Sequence, residues 1–318
     1  MASYDLSIVI PAFNEEQNIS KLVPHLRSHM GALRAQIIVV DNGSSDATRE
    51  VATACGADLV LLESGTVGAI RNAAARRATA DVVVFLDADV FPTQEWTRQL
   101  PHVIDSLRAK PRQLTGSWVC VPDRCTWLEQ HWFKPLEHGS NTHINSGHMI
   151  VSRSFFLELG GFHPSLRSGE DYEISMRVKA HGGEVVDNVA LRVIHEGYPK
   201  RLSEFARREM WHGAGDFQSA RAFFTSKVAV LSVVAFWGLL GGWIASAISS
   251  RVTWGLAGTL LAVMICAASS FKRYPRAGWH TRIATTAIYF IYFCARALSP
   301  FARRSGRQGR KNASTARH

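Results

Sequence analysis

The last third of this 318-residue chain contains no acidic residue, because all 26 Asp and Glu lie at or before Asp216. The 14 Lys and Arg beyond that point are unopposed, whereas residues 1–216 hold the other 22 and carry a net charge of −4. The formal charge of +10 therefore belongs to the C-terminal part. A basic segment set among apolar runs points to anionic lipid as a partner. No basic groove with interleaved aromatics occurs in the acidic part, so nucleic acid is not an expected partner. Cysteine is scarce and scattered, at 55, 120, 125, 266 and 294. Neither a disulfide framework nor a zinc site is expected, and reduced thiols place the N-terminal part in the cytosol. The opening "MASYDLSIVIPAFNEE" has no charged start and no long apolar stretch, so it does not read as a secretory signal. No G-x-G-x-x-G follows the first apolar run, so the phosphate cradle of a dinucleotide-dependent oxidoreductase is missing.

What is present, up to about residue 200, is an alternation of strand-length apolar runs with helix-length segments, the pattern of an α/β layer with a largely parallel sheet. Strands are predicted at 6–10, 36–41, 57–63, 81–86, 113–121, 144–152 and 183–195. Helices are predicted at 14–30, 45–55, 66–79, 93–108, 152–160, 170–181 and 201–213. Asn14, Ser45 and Ser152 read as N-caps, and Gly31 and Gly56 as helix stops.

Beyond Lys227, segments 228–249 and 252–270 are charge-free and each long enough to cross a bilayer. They read as a transmembrane hairpin turning at Ser250 and Arg251. Segment 283–298 is shorter and flanked by Arg282 and Arg296, and is either a third span or an interfacial helix. A cytosolic head returns the basic loop 271–282 to the cytosol. A third crossing would then export the tail 302–318 with its six Lys and Arg, against the positive-inside tendency, so the interfacial placement with a cytosolic tail is favoured. The expected organisation is a domain at 1–222, a membrane region at 223–300 and a basic tail at 301–318, with the Asn312-Ala-Ser314 sequon read as chance.

The chemistry begins at "VVVFLDADVFP" (82–92), where a buried run ends in Asp87 and Asp89. Ligands of open α/β sheets bind beyond the carboxyl ends of strands. Two carboxylates there, separated by a small Ala88, suit a divalent cation, Mg²⁺ or Mn²⁺, and its diphosphate ligand. Two solvated loop acids are the plainer alternative. "VVDNGSSDAT" (39–48) ends a strand with Asp41, placed to accept from a base N–H, while Ser45 and Asp46 read as ordinary capping residues. "PAFNEE" (11–16) closes the first strand with Pro11, Ala12, Phe13 and Glu15, where Phe13 offers a stacking face. "TVGAIRN" (66–72) supplies Gly68 and Arg71, the latter placed to meet a phosphate or the acidic cluster.

These pieces, in this order, resemble the family 2 glycosyltransferases with the GT-A fold. The resemblance covers about residues 6–215, through "SIVIPAFNEE", "VVDNGSSDAT", "GAIRN", "FLDAD" and "GGFHPSLRSGEDYE". It implies a nucleotide-sugar donor, with Phe13 and Asp41 at base-binding positions and Arg71 as a donor-contacting arginine. It also implies that Asp87 and Asp89 hold the diphosphate through Mg²⁺ or Mn²⁺, Asp89 being the more direct metal ligand. In "GED", with Glu170 beside it, Asp171 matches the general base of an inverting transfer. His195 resembles a late histidine that closes the metal or diphosphate site, with a core or loop histidine as the alternative. Two departures matter. His163 replaces the usual acid after "GGF", and Met210 replaces Arg in the Gln-x-x-Arg-Trp motif of processive synthases, although Trp211 and Gly213 keep register. Transfer of a single sugar is therefore expected over polymer extension.

Trp127, Trp132 and Phe133 read either as a lip over an acceptor or the membrane interface, or as core. The implied whole is a GT-A domain on the cytoplasmic face of a bacterial-type inner membrane, acting on a lipid-linked or amphipathic acceptor. A nucleotidyltransferase would place a Gly-rich basic loop after the first strand, and "PAFNEEQN" has neither Gly nor a base. A non-catalytic scaffold would be expected to have lost several of the site acids.

Overall fold

The computed structural model describes residues 4–62, 64–137, 143–166 and 169–301. The chain forms two compact units, one from Met1–Arg124 and Glu137–Tyr198, the other from Cys125–Leu136 and Pro199 onward.

In chain order the first unit contains β1 (Leu6–Ala12), α1 (Glu16–His29), β2 (Ala35–Asp41), α2 (Thr48–Ala54), β3 (Asp58–Leu61), α3 (Val67–Arg77), β4 (Val82–Leu86) and β5 (Val90–Pro92). It continues with α4 (Gln94–Ala109), β6 (Gln113–Gly116), β7 (Val119–Cys120), β8 (His148–Ser152), α5 (Arg153–Glu158), α6 (Glu170–Ala180), β9 (Glu184–Asp187) and β10 (Val193–His195). A seven-stranded sheet runs β3-β2-β1-β4-β8-β6-β9. Its first four strands are parallel, and β8 opposes both β4 and β6. A second sheet, β5-β10-β7, stands beside the end of β4.

β4 is buried on both faces, which is why its sequence is an unbroken Val-Val-Val-Phe-Leu rather than an alternation. Val82, Val84 and Leu86 pack with Ile8 and Ile10 beneath α1 and α4. Val83 and Phe85 pack with Val9 and Val40 beneath α3, α5 and α6. Each such side chain contributes about 1.5–3 kcal/mol on leaving water, so the central strands are fixed and their carboxyl ends form a rigid edge.

Several local expectations change. Ser152 does cap α5, accepting from the Phe155 N–H. Asn14 is instead a left-handed residue (φ 57°) before α1, and Ser45 lies three residues before α2 begins at Thr48. Both belong to reciprocal capping between two loops. Asn14 Oδ1 accepts the Ser45 N–H at 2.8 Å, Thr48 Oγ1 accepts the Glu15 N–H at 2.8 Å, and Glu16 accepts the Ala47 N–H at 3.0 Å. The strand expected at 113–121 breaks at Gly116, where a Cβ would stand 2.3 Å from the His148 carbonyl oxygen. Chain too close to carry a side chain bends there, and β7 leaves for the second sheet. The strand expected at 183–195 breaks likewise into β9 and β10.

The second unit contains a helical turn at Glu129–Phe133, α7 (Leu202–Gly213), α8 (Ala220–Thr225), α9 (Lys227–Ser249), α10 (Val252–Arg273) and α11 (Trp279–Ala297). α9 and α10 are long and apolar enough to cross a membrane, and 17% and 22% of their most apolar windows are buried in the protein. They pack backbone to backbone, since a Cβ on Gly258 would meet the Gly238 carbonyl at 2.5 Å. Ser250 (φ 57°) turns the chain between them.

α11 packs at one end of this pair. The Trp132 ring lies 6.2 Å from Tyr274, which follows α10, and 4.8 and 5.5 Å from Tyr289 and Tyr292 of α11. The Tyr274 hydroxyl also donates to the Trp132 carbonyl at 2.7 Å. Farther along, Arg296 pairs with Glu209 of α7 at 2.9 Å and with Asp216 at 3.4 Å. Trp132 and Phe133, one reading of which was a lip, are buried in this core, while Trp127 is half exposed.

Candidate active site

The carboxyl ends of β1, β2 and β4 meet at one edge of the sheet. Pro11 and Ala12 end β1, paired with Val40 and Asp41 of β2, and the half-buried Phe13 follows. Asp41 is fully buried and accepts from the Gly43 N–H at 3.1 Å, the Ser44 N–H at 3.2 Å and Arg49 Nε at 2.6 Å. Burial alone would raise its pKa, but the Ser44 and Arg49 bonds outweigh it and hold the carboxyl below the usual range. The carboxylate therefore also organises the turn that follows it. Glu15 accepts from Asn18 at 2.7 Å. Burial pushes its carboxyl upward against that bond, and the charges of Asp89, Asp87 and Asp46 push the same way.

The first of the two acids after β4, Asp87, pairs with a cation. Arg71 of α3 is 2% exposed and reaches Asp87 Oδ1 at 2.5 Å and Glu170 Oε1 at 3.1 Å. Glu170 also accepts from the Ser146 hydroxyl at 2.9 Å. Gly68, one turn before Arg71, lets α3 lie against Phe162, since a Cβ there would be 3.0 Å from that of Phe162. One buried arginine thus joins the end of β4 to the start of α6.

Asp171 differs from its neighbour. It is half-buried at the start of α6, behind Gly169 (φ 78°), and its carboxylate accepts the Tyr172 N–H at 2.8 Å. Among the described residues no cation pairs with it.

Asp89 immediately precedes β5, which pairs antiparallel with β10 so that Val90 lies opposite His195. The Glu196 N–H donates to the Asp89 carbonyl at 2.9 Å, and Asp89 Oδ2 faces His195 Nε2 at 3.6 Å. The imidazole stacks on Tyr198, ring centroids 4.1 Å apart. Beside the pair, a Cβ on Gly197 would stand 1.8 Å from Asp89 Oδ2, and on the other flank a Cβ on Gly147 would stand 2.7 Å from Asp87 Oδ2. Sequence reasoning missed both glycines, whose contribution is the space they leave.

The glycines make room for the two carboxylates, and a carboxylate and an imidazole 3.6 Å apart could contribute two ligands to one divalent cation. Among the described residues no group of three or more His, Cys, Asp or Glu is placed to hold a metal ion by itself. That fits an ion completed by phosphate oxygens and water.

A sequence profile described as glycosyl transferase family 2 matches residues 7–157. The glycosyltransferase AglE of Haloferax volcanii is 35% identical over 74% of this chain and 80% of its own length. The pre-mycofactocin glycosyltransferase of Mycobacterium tuberculosis is 27% identical over 84% of this chain. The match spans only 59% of that relative's length. Among solved structures, the mannosyltransferase PcManGT of Pyrobaculum calidifontis, described in complex with GDP-Man and Mn²⁺, aligns over 96% of this chain and 89% of its own, at 18% identity and a TM-score of 0.52. The mixed sheet with its acid-bearing edge is the GT-A fold, and the chain belongs to glycosyl transferase family 2.

Proposed function

We propose that the protein transfers a single sugar from a nucleotide-sugar donor to a hydroxyl of a membrane-associated acceptor, with inversion. The observation that carries this reading is the contrast between Glu170, neutralised by Arg71, and Asp171, which has no cation among the described residues. A carboxylate at that edge with no arginine or lysine partner among the described residues supports the base reading. Asp171 accepts the proton of the acceptor hydroxyl as its oxygen attacks the anomeric carbon. The bond from that carbon to the diphosphate breaks, and the nucleoside diphosphate leaves with the electron pair. Phe13 stacks on the base, Asp41 accepts from it, and Pro11, Ala12 and Glu15 form the floor of the donor site. Asp89 and His195, with Asp87 nearby, would hold Mn²⁺ or Mg²⁺. When bound, such an ion would supply positive charge for the departing diphosphate.

Two apolar helices support membrane anchoring, with the acceptor lipid-linked or amphipathic and the site on the cytoplasmic side of a bacterial-type inner membrane. α11 is read as interfacial, because Tyr274 before it and Tyr289 and Tyr292 within it all pack against Trp132. Its exposed stripe of Trp279, Ile283 and Phe290 faces the lipid, and the basic residues of 271–282 face anionic headgroups.

The test is a thermal-shift screen of the detergent-solubilised protein against nucleotide sugars with Mn²⁺, Mg²⁺ or chelator. It is followed by assay of nucleoside diphosphate release. A metal-dependent shift for one nucleotide class is expected, and folded protein that shifts with none overturns the reading.

A further inference from the structure

His148 begins β8 opposite Leu86, one residue from Gly147, whose carbonyl accepts the Asp87 N–H at 3.1 Å. Its ring is fully buried. Trp96 of α4 donates its indole N–H to His148 Nε2 at 2.8 Å. On its other side the ring meets Ser117, whose backbone N–H points at Nδ1 at 3.1 Å and whose hydroxyl lies 3.0 Å from the same nitrogen. That hydroxyl donates to the Leu191 carbonyl at 2.5 Å. Burial holds the ring neutral, with its pKa lowered to about 4.

The relay has a direction in the fold. It starts in α4, passes through the strand beside Asp87, crosses at the bend after Gly116, and ends two residues before β10. We propose that His148 is a positioning residue that ties the end of β4, with Asp87, to the small sheet holding Asp89 and His195, and so fixes the two halves of the cation site. This rests on the metal-dependent reading above, although the tie itself can be measured without metal.

Two substitutions separate the arms of the ring. Asn places an amide N–H near the Nδ1 position, so His148→Asn keeps the bond to Ser117 and loses Trp96. Gln reaches the Nε2 position with its carbonyl, so His148→Gln keeps Trp96 and loses Ser117. Ser117→Ala removes the hydroxyl that joins the ring to the Leu191 carbonyl, while the Trp96 contact stays. The first readout is hydrogen exchange of the peptides spanning 190–197 and 88–92 in the metal-free full chain. The second is Mn²⁺ affinity by electron paramagnetic resonance. Faster exchange confined to those peptides is expected in His148→Gln and Ser117→Ala, with Mn²⁺ binding about tenfold weaker, the lower end of what outer-shell partners contribute. His148→Asn should stay within about twofold of the parent, by the same scale. If His148→Gln and His148→Asn exchange alike, or if Ser117→Ala leaves both peptides protected, the proposal is overturned. Wild-type protein that binds no Mn²⁺ while its variants show the exchange pattern would instead overturn the metal reading and leave the tie standing.

Discussion

Glu170 lies 3.1 Å from the Arg71 guanidinium, and the next residue, Asp171, has among the described residues only the Tyr172 N–H for its carboxylate. The proposed function gives the two adjacent acids different work. Asp171→Asn is expected to lower nucleoside diphosphate release about 10²–10⁴-fold, the usual range for a general base, with donor-induced thermal shifts unchanged. Normal turnover in that variant would remove Asp171 from the chemistry.

Arg71 carries a structural load as well. Arg71→Met leaves Glu170, whose side chain is 8% exposed, as an uncompensated buried charge, at a cost of about 3–5 kcal/mol. The double change Arg71→Met with Glu170→Leu should recover most of the lost melting temperature while leaving activity abolished. A single variant that melts with the parent would show that Glu170 finds another partner.

Gly197 gives a test of space. A Cβ there overlaps Asp89 Oδ2, so Gly197→Ala should displace the carboxylate and weaken Mn²⁺ binding at least about tenfold. Its melting temperature should change little, because Gly197 is not at a left-handed position. Titration of Mn²⁺ alongside a melt separates the two effects.

Stability should depend on pH through His148. Its folded pKa of about 4 lies below the roughly 6.5 of a free histidine. As pH falls, the unfolded chain therefore takes up a proton first. The contribution is complete above pH ~6.5 and is lost between there and pH ~4, by at most about 3 kcal/mol. Denaturant unfolding of the parent should show that slope, and His148→Gln should lack this part of it.

A reporter fused after His318 should read as cytosolic if α9 and α10 are the only spans. An exported reporter would make α11 a third crossing and reverse the side of the tail.

Much of this was legible in the sequence because the governing signals are local. Val82–Leu86 reads as a covered strand, and its position is what raised the acids at its end above two solvated loop acids. The existence of α9 and α10 and the turn at Ser250 follow from charge-free length, whereas α10 runs three residues past the charge-free segment, through Lys272 to Arg273. What was not legible depends on encounters between distant segments. Gly116 breaks a strand because His148 crosses it, 32 residues on in the sequence. Asn14 and Ser45 look like caps for their own helices, yet each serves the neighbouring loop. Arg71 was placed near the acids, but its second partner, Glu170, is 99 residues away. Trp132 gave no sign in its own neighbourhood that its enclosing rings lie at 205, 289 and 292.

That last arrangement has a consequence for how the chain is made. Trp132 leaves the ribosome long before Tyr289 and Tyr292 exist, so the segment 125–136 must wait, with its largest apolar side chain unclaimed, until the hairpin and α11 have been synthesised. A shortened chain ending near residue 222 would keep every acid of the site and still expose this indole, inviting self-association. Soluble versions of the enzyme should therefore either replace Trp132 and Phe133 with polar residues or retain α11, and the yield of monomer from those two designs would show how late in synthesis the fold is completed.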